Sequence, residues 1–369
     1  MTQVLTVRFK LKFTQEERQP NMFLVYGDYI VSDEKIVSLA HRYTVARKLF
    51  AESSLAGTYQ VIKTERANFD VYRVVHDSQY IDLLERISKT GKEARGIPAE
   101  GIEFERVGVG GTLTATCLAF EKRCFAYHLG GGYHHGMPDG PNGIDYCNDV
   151  AMALEYLLRN GVKRILYIDL DAHHPDGVQK IFESEKRIMQ ISLHQWLSDT
   201  KEAHYSNIGK GEGIGRRINM PLPRHTGDRA YLQLLHALLV SVMRRYKPEV
   251  VVYQAGVDPY YQDPIGCLNL SLRGLYERDK LVASTCMSPD VPFITVLGGG
   301  YHSVGAPKAV VNTLAAFAGQ NIVFDESESI GSSSASKAFK WYAALRAYLS
   351  PYIELDPIAD DEQKEVAHA

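Results

Sequence analysis

The stretch RILYIDLDAHHPDG, residues 164–177, joins an apolar run to a dense group of ionisable side chains. Its first half, Arg164–Leu170, is mostly apolar at consecutive rather than alternate positions, which is typical of a parallel strand buried on both faces. The same pattern predicts four further strands, at Cys124–Leu129, Arg187–Leu193, Glu249–Gln254 and Val291–Leu297. Apolar residues at helical spacing predict helices at Asn148–Arg159 and Ala230–Tyr246. Strands that alternate with helices predict an α/β fold, in which helices flank a doubly wound, mainly parallel β-sheet.

Length and composition limit the class of protein. The 369 residues, of which 45% are hydrophobic, are within the reach of one large α/β domain. We therefore expect a single domain over residues 1–369, with a loop over 325–337 and a frayed, acidic C-terminal tail over 352–369. Because no apolar run approaches the roughly 20 residues that span a bilayer, we expect no membrane-spanning segment.

Charge, the first residues and cysteine content indicate the class of partner and the cellular environment. The formal net charge of −3 disfavours nucleic acid as a partner. The first residues, MTQVLTVRFKLKF, have neither the apolar core nor the cleavage site of a signal peptide. The cysteines are widely spaced and odd in number, so we expect buried thiols in a reducing, cytoplasmic environment: Cys117, Cys124, Cys147, Cys267 and Cys286.

Ionisable residues gather where the predicted strands end, and in an open parallel sheet ligands bind beyond the carboxyl ends of the strands. Asp171 and His173 lie two positions apart, so on an extended strand end their side chains point the same way. Asp258, in QAGVDPYYQDPIG (residues 254–266), directly follows another predicted strand. Alone it would be a helix cap, but the three residues together offer two carboxylates and one imidazole. That set leaves a fourth position for water, as catalytic zinc requires, and it also suits iron(II) or cobalt.

Two glycine-rich segments supply the remaining candidate groups. HLGGGYHHG, residues 128–136, presents the tandem histidines His134 and His135, which can take a proton from a metal-polarised water. Each imidazole needs an acceptor on its other nitrogen, and Asp169 and Asp176 can serve because the metal does not use them. LGGGYH, residues 297–302, presents Tyr301, whose hydroxyl can donate to the oxyanion of a tetrahedral intermediate. Together these groups predict the hydrolysis of an amide.

The segments resemble those of the histone deacetylase superfamily, which has the arginase–deacetylase fold. The matching pieces keep the family's order and spacing from about Val107 to Gly305: GGTLTAT, GGGYHHG, NDVAMALEYL, RILYIDLDAHHPDGVQ, MQISLH, NMPL, QAGVDP, GCLNLS and LGGGY. GLYERDKLV and the three glycines before Tyr301 are similar to the class IV branch and its bacterial relatives. The resemblance implies a zinc-dependent deacylase, with acyl-lysine in a protein or peptide as the expected substrate.

The resemblance also implies roles for individual residues. The ligands of one zinc ion per chain, for which Fe²⁺ is an alternative, match Asp171, His173 and Asp258. The catalytic groups match His134, His135, Asp169, Asp176 and Tyr301. His135 is the implied general base and acid, the two aspartates hold the imidazoles, and Tyr301 polarises the scissile carbonyl.

Two further features follow from the resemblance. A structural potassium ion is implied at the side chains of Asp169 and Ser192 and the backbone carbonyls of Asp171, His173 and Leu193. A second potassium site is implied near Phe182, although its residues match the family poorly. The implied substrate tunnel is lined by Gly132, Tyr133, Ile144, Ile265, Gly299 and Gly300.

Some positions depart from the family pattern. Pro175 replaces the glycine of a common His-His-Gly-Asp-Gly segment. Gly143–Tyr146, GIDY, stands where many members have Gly-Phe-Cys-Tyr, so Ile144 replaces an aromatic wall and we expect a wider tunnel. The short insert at Met137–Asn142 is expected to shape the rim. The sequence does not identify the rim aspartate or the arginine of an internal exit channel.

Four alternative functions stay open. A two-metal ureohydrolase on the same fold needs Asp-x-His-x-Asp, whose last position here is Pro175. A deacetylase of acetylated polyamines or other small amides carries an acidic gatekeeper, which Pro264–Gly266 lacks, although Asp263 is nearby. Removal of long fatty acyl groups from lysine is compatible with a wide tunnel at Ile144. A non-enzymatic zinc-binding protein is disfavoured by the complete set of catalytic residues, and the oligomeric state is left open.

Overall fold

The structure is a computed structural model that describes residues 22–29, 34–197, 201–326 and 335–358, with the backbone alone for residues 34–39. Residues 1–21, where we expect no signal peptide, lie outside these ranges. So do the centre of the predicted loop over 325–337 and residues 359–369 of the predicted tail.

One parallel sheet organises the part of the chain that the structure describes. Its eight strands are β1 (Met22–Tyr26), β2 (Gln60–Lys63), β3 (Phe125–His128), β4 (Ile165–Asp169), β5 (Ile188–Gln195), β6 (Arg217–Leu222), β7 (Val250–Gln254) and β8 (Phe293–Val296). They lie in the order β2-β1-β3-β8-β7-β4-β5-β6, and each neighbouring pair is parallel. The predicted α/β fold with a parallel sheet is confirmed.

Helices pack on both faces of this sheet. Those in the described residues are α1 (Glu34–Glu52), α2 (Ser78–Thr90), α3 (Ala99–Lys122), α4 (Asp149–Arg159), α5 (Asp176–Phe182), α6 (Asp228–Tyr246), α7 (Leu272–Cys286), α8 (Gly305–Phe317) and α9 (Ala335–Leu349). Successive residues of β4 alternate between two apolar cores, with Ile165 and Tyr167 in one and Leu166 and Ile168 in the other. A strand buried on both faces has no polar side, which explains the continuous apolar runs.

The five predicted strands and two predicted helices are present, with ends that differ by at most two residues. β1, β2 and β6 were not predicted. All five cysteines are buried and free, as expected. Among the described helices, none combines the length and apolarity needed to cross a membrane.

Two predictions near the C-terminus need correction. The loop predicted over 325–337 is too long, because α9 already begins at Ala335. The tail predicted to fray from residue 352 is packed as far as Ile358: Ile353, Leu355 and Ile358 are buried, and Asp356 Oδ1 accepts a hydrogen bond from Arg244 at 2.6 Å. Apolar anchors between the acidic residues hold this segment against the domain.

Strand order decides where the site lies. Because β3, β8, β7 and β4 are neighbours in the middle of the sheet, the four loops that follow them meet at one edge. These are the loops in which the sequence predicts the ligands, the histidines and Tyr301.

Candidate active site and metal centre

The loop after β4 brings together the first two predicted ligands. β4 ends at Asp169, and the chain bends over Asp171–His173 rather than continuing as an extended strand, so the expected extended geometry is wrong. The bend forms because Asp171 Oδ1 accepts the backbone N–H of His173 at 2.9 Å, a turn that aspartate favours. The side chains still meet, with His173 Nδ1 3.1 Å from Asp171 Oδ1.

The loop after β7 adds the third group. Asp258 Oδ2 lies 2.9 Å from His173 Nδ1, and its Oδ1 accepts the backbone N–H of Ala172 at 2.8 Å. The ligand atoms of Asp171, His173 and Asp258 all lie within 4.8 Å of one another. Two carboxylates and one imidazole at this separation fit a divalent transition metal such as zinc, with room for a further ligand.

Electrostatics also favours a cation at this point. Burial lowers the pKa of His173, but its contacts with Asp171 and Asp258 outweigh burial and raise the pKa to about 11. Burial and the neighbouring Asp171 raise the pKa of Asp258 to about 7. Two buried carboxylates this close repel each other unless a positive charge lies between them, and a bound metal ion would supply that charge.

A glycine permits the third loop to approach these carboxylates. The backbone N–H of Gly299, after β8, donates to Asp171 Oδ2 at 2.7 Å. A Cβ at Gly299 would lie 2.4 Å from Asp258 Oδ2, so a side chain here would displace the candidate ligands. The three-glycine turn is therefore required by the close approach of its backbone to the site.

The loop after β3 carries the tandem histidines into the same region. His134 Nδ1 lies 2.8 Å from Asp169 Oδ2, and His135 Nδ1 lies 2.6 Å from Asp176 Oδ1. The two Nε2 atoms are 3.1 Å apart. The structure thus pairs His134 with Asp169 and His135 with Asp176.

Charge distinguishes the two histidines. Burial lowers the pKa of His134, but Asp169 and then Asp171 raise it to about 10, which favours the protonated form of His134. One Nε2 must donate to the other across 3.1 Å, and the protonated ring is the donor. The Nε2 of His135 is then the acceptor, while its Nδ1–H faces Asp176.

Hydrogen bonds from the start of α4 hold the backbone of this loop in place. The Asp149 carboxylate, in the first turn of α4, accepts the N–H groups of Gly132 at 2.9 Å and Tyr133 at 2.7 Å. The Asn148 side chain donates to the carbonyls of His134 at 3.1 Å and Gly136 at 3.0 Å. The start of α4 therefore fixes the loop on both sides of the histidine pair.

Tyr301 reaches the site from the end of β8. Its backbone N–H donates to Asp263 Oδ2 at 2.6 Å, and the Arg42 guanidinium lies 5.4 Å from its ring centroid. Burial raises the pKa of Tyr301, and the negative charges of Asp171 and Asp258 raise it further. The phenol therefore keeps its proton and is a hydrogen-bond donor.

A cavity of about 160 Å³ connects these groups. Its lining includes His134, His135, Asp171 and Tyr301, together with four predicted tunnel residues: Gly132, Tyr133, Ile144 and Gly299. Ile144 stands at the tip of a tight turn between Asn142 and Asp145, with 52% of its surface exposed. The other two predicted tunnel residues lie apart from this lining: Ile265 is 53% exposed, and the carbonyl of Gly300 accepts from Arg42.

Three charged residues of the cavity lining, Arg42, Asp145 and Glu105, were not predicted as site residues. Arg42, on α1, donates to the carbonyls of Gly300 at 2.5 Å and Gly298 at 3.0 Å, which fixes the turn before Tyr301. Asp145 accepts the backbone N–H of His135 at 2.9 Å, and burial raises its pKa to about 6 despite the nearby imidazoles. Buried Glu105 accepts the Tyr146 N–H at 2.8 Å. No sequence signal marks Arg42 or Glu105: Arg42 binds two backbone carbonyls and the Tyr43 hydroxyl, at 2.8 Å, and Glu105 accepts a backbone N–H.

The residues predicted to hold potassium lie around the end of β4 and on the neighbouring strand β5. Asp169 and Ser192 are paired in register on β4 and β5, and Leu193 follows Ser192. The Ser192 hydroxyl lies 2.8 Å from His194 Nδ1. His174, adjacent to the candidate ligand His173, is absent from the cavity lining, and its Nε2 lies 3.2 Å from both Gln179 Oε1 and Asn219 Oδ1.

Comparisons with known proteins agree with this geometry. The family model of the histone deacetylase domain matches residues 37–317. A probable deacetylase of Archaeoglobus fulgidus is 33% identical over 262 residues, covering 69% of this chain and 73% of the relative. The acetoin utilization protein AcuC of Staphylococcus aureus is 27% identical over 299 residues, covering 75% of this chain and 77% of the relative.

Proposed function

The chain belongs to the histone deacetylase family, and on that premise we propose that it is a zinc-dependent deacylase of acyl-lysine in proteins or peptides. One observation carries the proposal: an aspartate-paired histidine couple and a phenol donor line one cavity, and Asp171, a member of the three-residue metal-binding group, lines it with them. Hydrolysis of an unactivated amide needs these functions together, and the name of the archaeal relative supports deacetylation.

Asp171, His173 and Asp258 would hold the zinc ion, and one structural potassium ion would lie beside Asp169 and Ser192. Zinc supplies a Lewis acid that polarises the acyl carbonyl and lowers the pKa of water. Pro175 has no side-chain ligand to offer a second transition metal, which favours a mononuclear site over the two-metal ureohydrolase alternative.

The histidine pair would move the protons. His135 Nε2 is the acceptor in the pair and lines the cavity, so we assign it the removal of a proton from the attacking water. The same nitrogen then carries the proton to the leaving amine, which must be protonated as the C–N bond breaks. Asp176 fixes the orientation of His135, while the charge of His134, held by Asp169, stabilises the negative charge that develops in the transition state.

Tyr301 would stabilise the oxyanion. Its protonated hydroxyl can donate to the acyl oxygen as negative charge builds up there. Arg42 holds the carbonyls of Gly298 and Gly300, so it positions the segment that carries Tyr301 without contacting the substrate. Asp263 fixes the backbone of Tyr301 from the opposite side.

Cavity size favours a short acyl group. At about 160 Å³ the cavity is small beside the roughly 300–1,000 Å³ of typical ligand pockets, and a lysine stem would also have to fit in it. Acetyl and other short acyl groups fit this space better than a fatty acyl chain. We therefore favour deacetylation over the long-chain alternative.

The polyamine alternative depends on a free acidic group at the rim. Asp263 is the nearest candidate by sequence, but its Oδ1 accepts the N–H groups of Ile265 and Gly266, each at 2.9 Å, and its Oδ2 accepts that of Tyr301. The side chain is buried and used by the backbone, so Asp263 is poorly placed to attract a cationic amine. This observation supports lysine peptides over acetylated polyamines.

One assay panel tests the proposal. Acetyl-, butyryl- and myristoyl-lysine peptides and acetylated polyamines are incubated with the zinc-loaded protein, with its chelated form, and with the Tyr301→Phe variant. We expect chelator-sensitive activity that is highest on acetyl-lysine and is lowered by roughly 10²–10³ in the variant, whereas Tyr348→Phe, at an exposed tyrosine of α9, is fully active. Absence of amidase activity on every substrate, or a preference for polyamines or myristoyl-lysine, would contradict the proposal.

A further inference from the structure

A fully buried arginine, Arg217, lies outside the lining of the catalytic cavity, at the start of β6. Arg217 Nη1 donates to the carbonyls of Ile188 at 2.6 Å and Arg216 at 2.9 Å. Its Nη2 donates to the carbonyl of Glu185 at 3.3 Å and also to that of Phe182. Four backbone carbonyls thus surround one guanidinium group, and we refer to these four residues as the carbonyl cage.

The positive charge of Arg217 is compensated in an unusual way. Buried arginine is normally paired with a carboxylate. The neighbouring carboxylate of Glu185 is instead bound to Arg187, at 2.6 Å and 2.9 Å. Carbonyl dipoles therefore provide the main compensation for the guanidinium charge, an environment that elsewhere in proteins holds potassium ions.

Chain geometry explains why carbonyls converge here. Phe182 ends α5, Glu185 lies in the following turn, Ile188 begins β5 and Arg216 precedes β6. The last carbonyls of a helix have no partner within it, and they attract positive charge. The turn curls these oxygens around one point, which must be filled by a cation or by water.

We propose that Arg217 is a built-in substitute for a monovalent cation: its guanidinium fills the carbonyl cage that a potassium ion would otherwise occupy. The second potassium site expected near Phe182 therefore does not fit this chain, since the guanidinium already uses the oxygens. The cage joins α5 to β5 and β6, and α5 begins with Asp176, so the internal cation stabilises the support of the histidine pair without a metal.

The test compares two variants that differ in the space they leave. Arg217→Ala removes the guanidinium and leaves room for an ion, whereas Arg217→Met removes the charge but keeps much of the side-chain volume. Bound rubidium, a potassium analogue, is counted by equilibrium dialysis, and Tm is measured in potassium, sodium and lithium chloride at constant ionic strength. We expect R217A to bind one more rubidium ion than the wild type, and R217M to bind no more than the wild type.

Stability supplies the second readout. Relative to lithium, potassium should raise the Tm of R217A by about 4 °C more than it raises that of the wild type or R217M, as binding to the folded state alone predicts. Equal rubidium counts in R217A and the wild type, or an equal response to all three cations, would overturn the proposal. Failure of R217A to fold in potassium would also overturn it, because the ion should replace the guanidinium. If R217M does not fold, R217K takes its place, since its ammonium group keeps a charge in the cage.

Discussion

Acid should weaken the fold through His76, which supports the loop of the tandem histidines. His76 Nδ1 lies 2.8 Å from the carbonyl of Met137, and its Nε2 accepts the backbone N–H of Asn148 at 3.0 Å. Both bonds require the neutral imidazole with its proton on Nδ1. Protonation of Nε2 removes the acceptor that holds Asn148, and Asn148 binds the carbonyls of His134 and Gly136.

The size of this effect follows from the pKa of His76. Burial lowers it from 6.5 to about 4, and the side chain is only 5% exposed. A folded-state pKa below the unfolded one means that the unfolded chain binds the proton more tightly. The stability that neutral His76 contributes to the fold is therefore fully present above pH 6.5 and is lost as the pH falls toward 4. A difference of about 2.5 pKa units corresponds to about 3 kcal/mol of unfolding free energy.

Urea unfolding at a series of pH values between 7 and 4 measures this loss. The test variant is His76→Gln, whose amide offers a donor and an acceptor but does not titrate in this range. Between pH 7 and pH 4, we expect the unfolding free energy of the wild type to fall by about 3 kcal/mol more than that of H76Q. Other buried histidines, such as His128 and His174, cancel in this difference. The exposed His236→Gln serves as the control and should show no such shift. Parallel curves for wild type and H76Q would refute the assignment of a neutral, bonded His76.

Three further predictions concern the active site. Tyr301→Phe should lower kcat by roughly 10²–10³, the loss typical of one oxyanion donor, with bound zinc unchanged by elemental analysis; unchanged turnover would remove Tyr301 from the mechanism. Asp258→Ala should abolish activity and reduce the metal content from one per chain, whereas two transition-metal ions per wild-type chain would contradict a mononuclear site. Ile144→Phe should lower KM for an acetyl-lysine peptide about threefold at constant kcat, because a ring at the rim can pack along the lysine stem, and KM for a small acetylated amine should not change.

Five of the eight strands could be predicted from continuous apolar runs, although β1, MFLVY, carries such a run and was not predicted. β3, β4, β5, β7 and β8 carry continuous apolar runs, and each was found from its sequence. β6 was missed because Arg217, Asn219 and Pro221 interrupt its apolar pattern. Those polar groups are satisfied by distant partners, such as Gln179 Oε1, which accepts from the Asn219 amide at 2.8 Å.

Helix α3 shows a different limit of sequence reasoning. Its glycines disfavour a helix by intrinsic propensity, yet the chain is helical from Ala99 to Lys122. Tertiary packing explains the difference: a Cβ on Gly111 would lie 2.0 Å from the His128 ring, and one on Gly108 would lie 2.2 Å from the Tyr133 hydroxyl. The glycines let the helix pack against the residues beneath the active site, which outweighs their low propensity.

The candidate site also contains residues that could be identified from the sequence and residues that could not. Side chains whose chemistry is distinctive, such as Asp171, His173 and Tyr301, could be identified from the sequence, because few other roles suit such groups at strand ends. The residues that hold those loops in place could not. Their partners are mostly backbone carbonyl and N–H groups, which nearly every residue carries and which therefore leave no trace in the sequence.

Buried arginines illustrate how these loops depend on one another. Arg42 binds the carbonyls of the β8 loop, and Arg278 Nη1 donates to the carbonyls of Leu170 at 3.2 Å and Gly256 at 2.6 Å, which lie in the β4 and β7 loops. Arg217 joins α5 to β5 and β6 in the same manner. Each guanidinium is planar and carries five donors, so one side chain can fix several carbonyls from different loops at once. The candidate catalytic and metal-binding groups follow four separate strands: Arg278 joins the loops after β4 and β7, and Arg42 fixes the loop after β8.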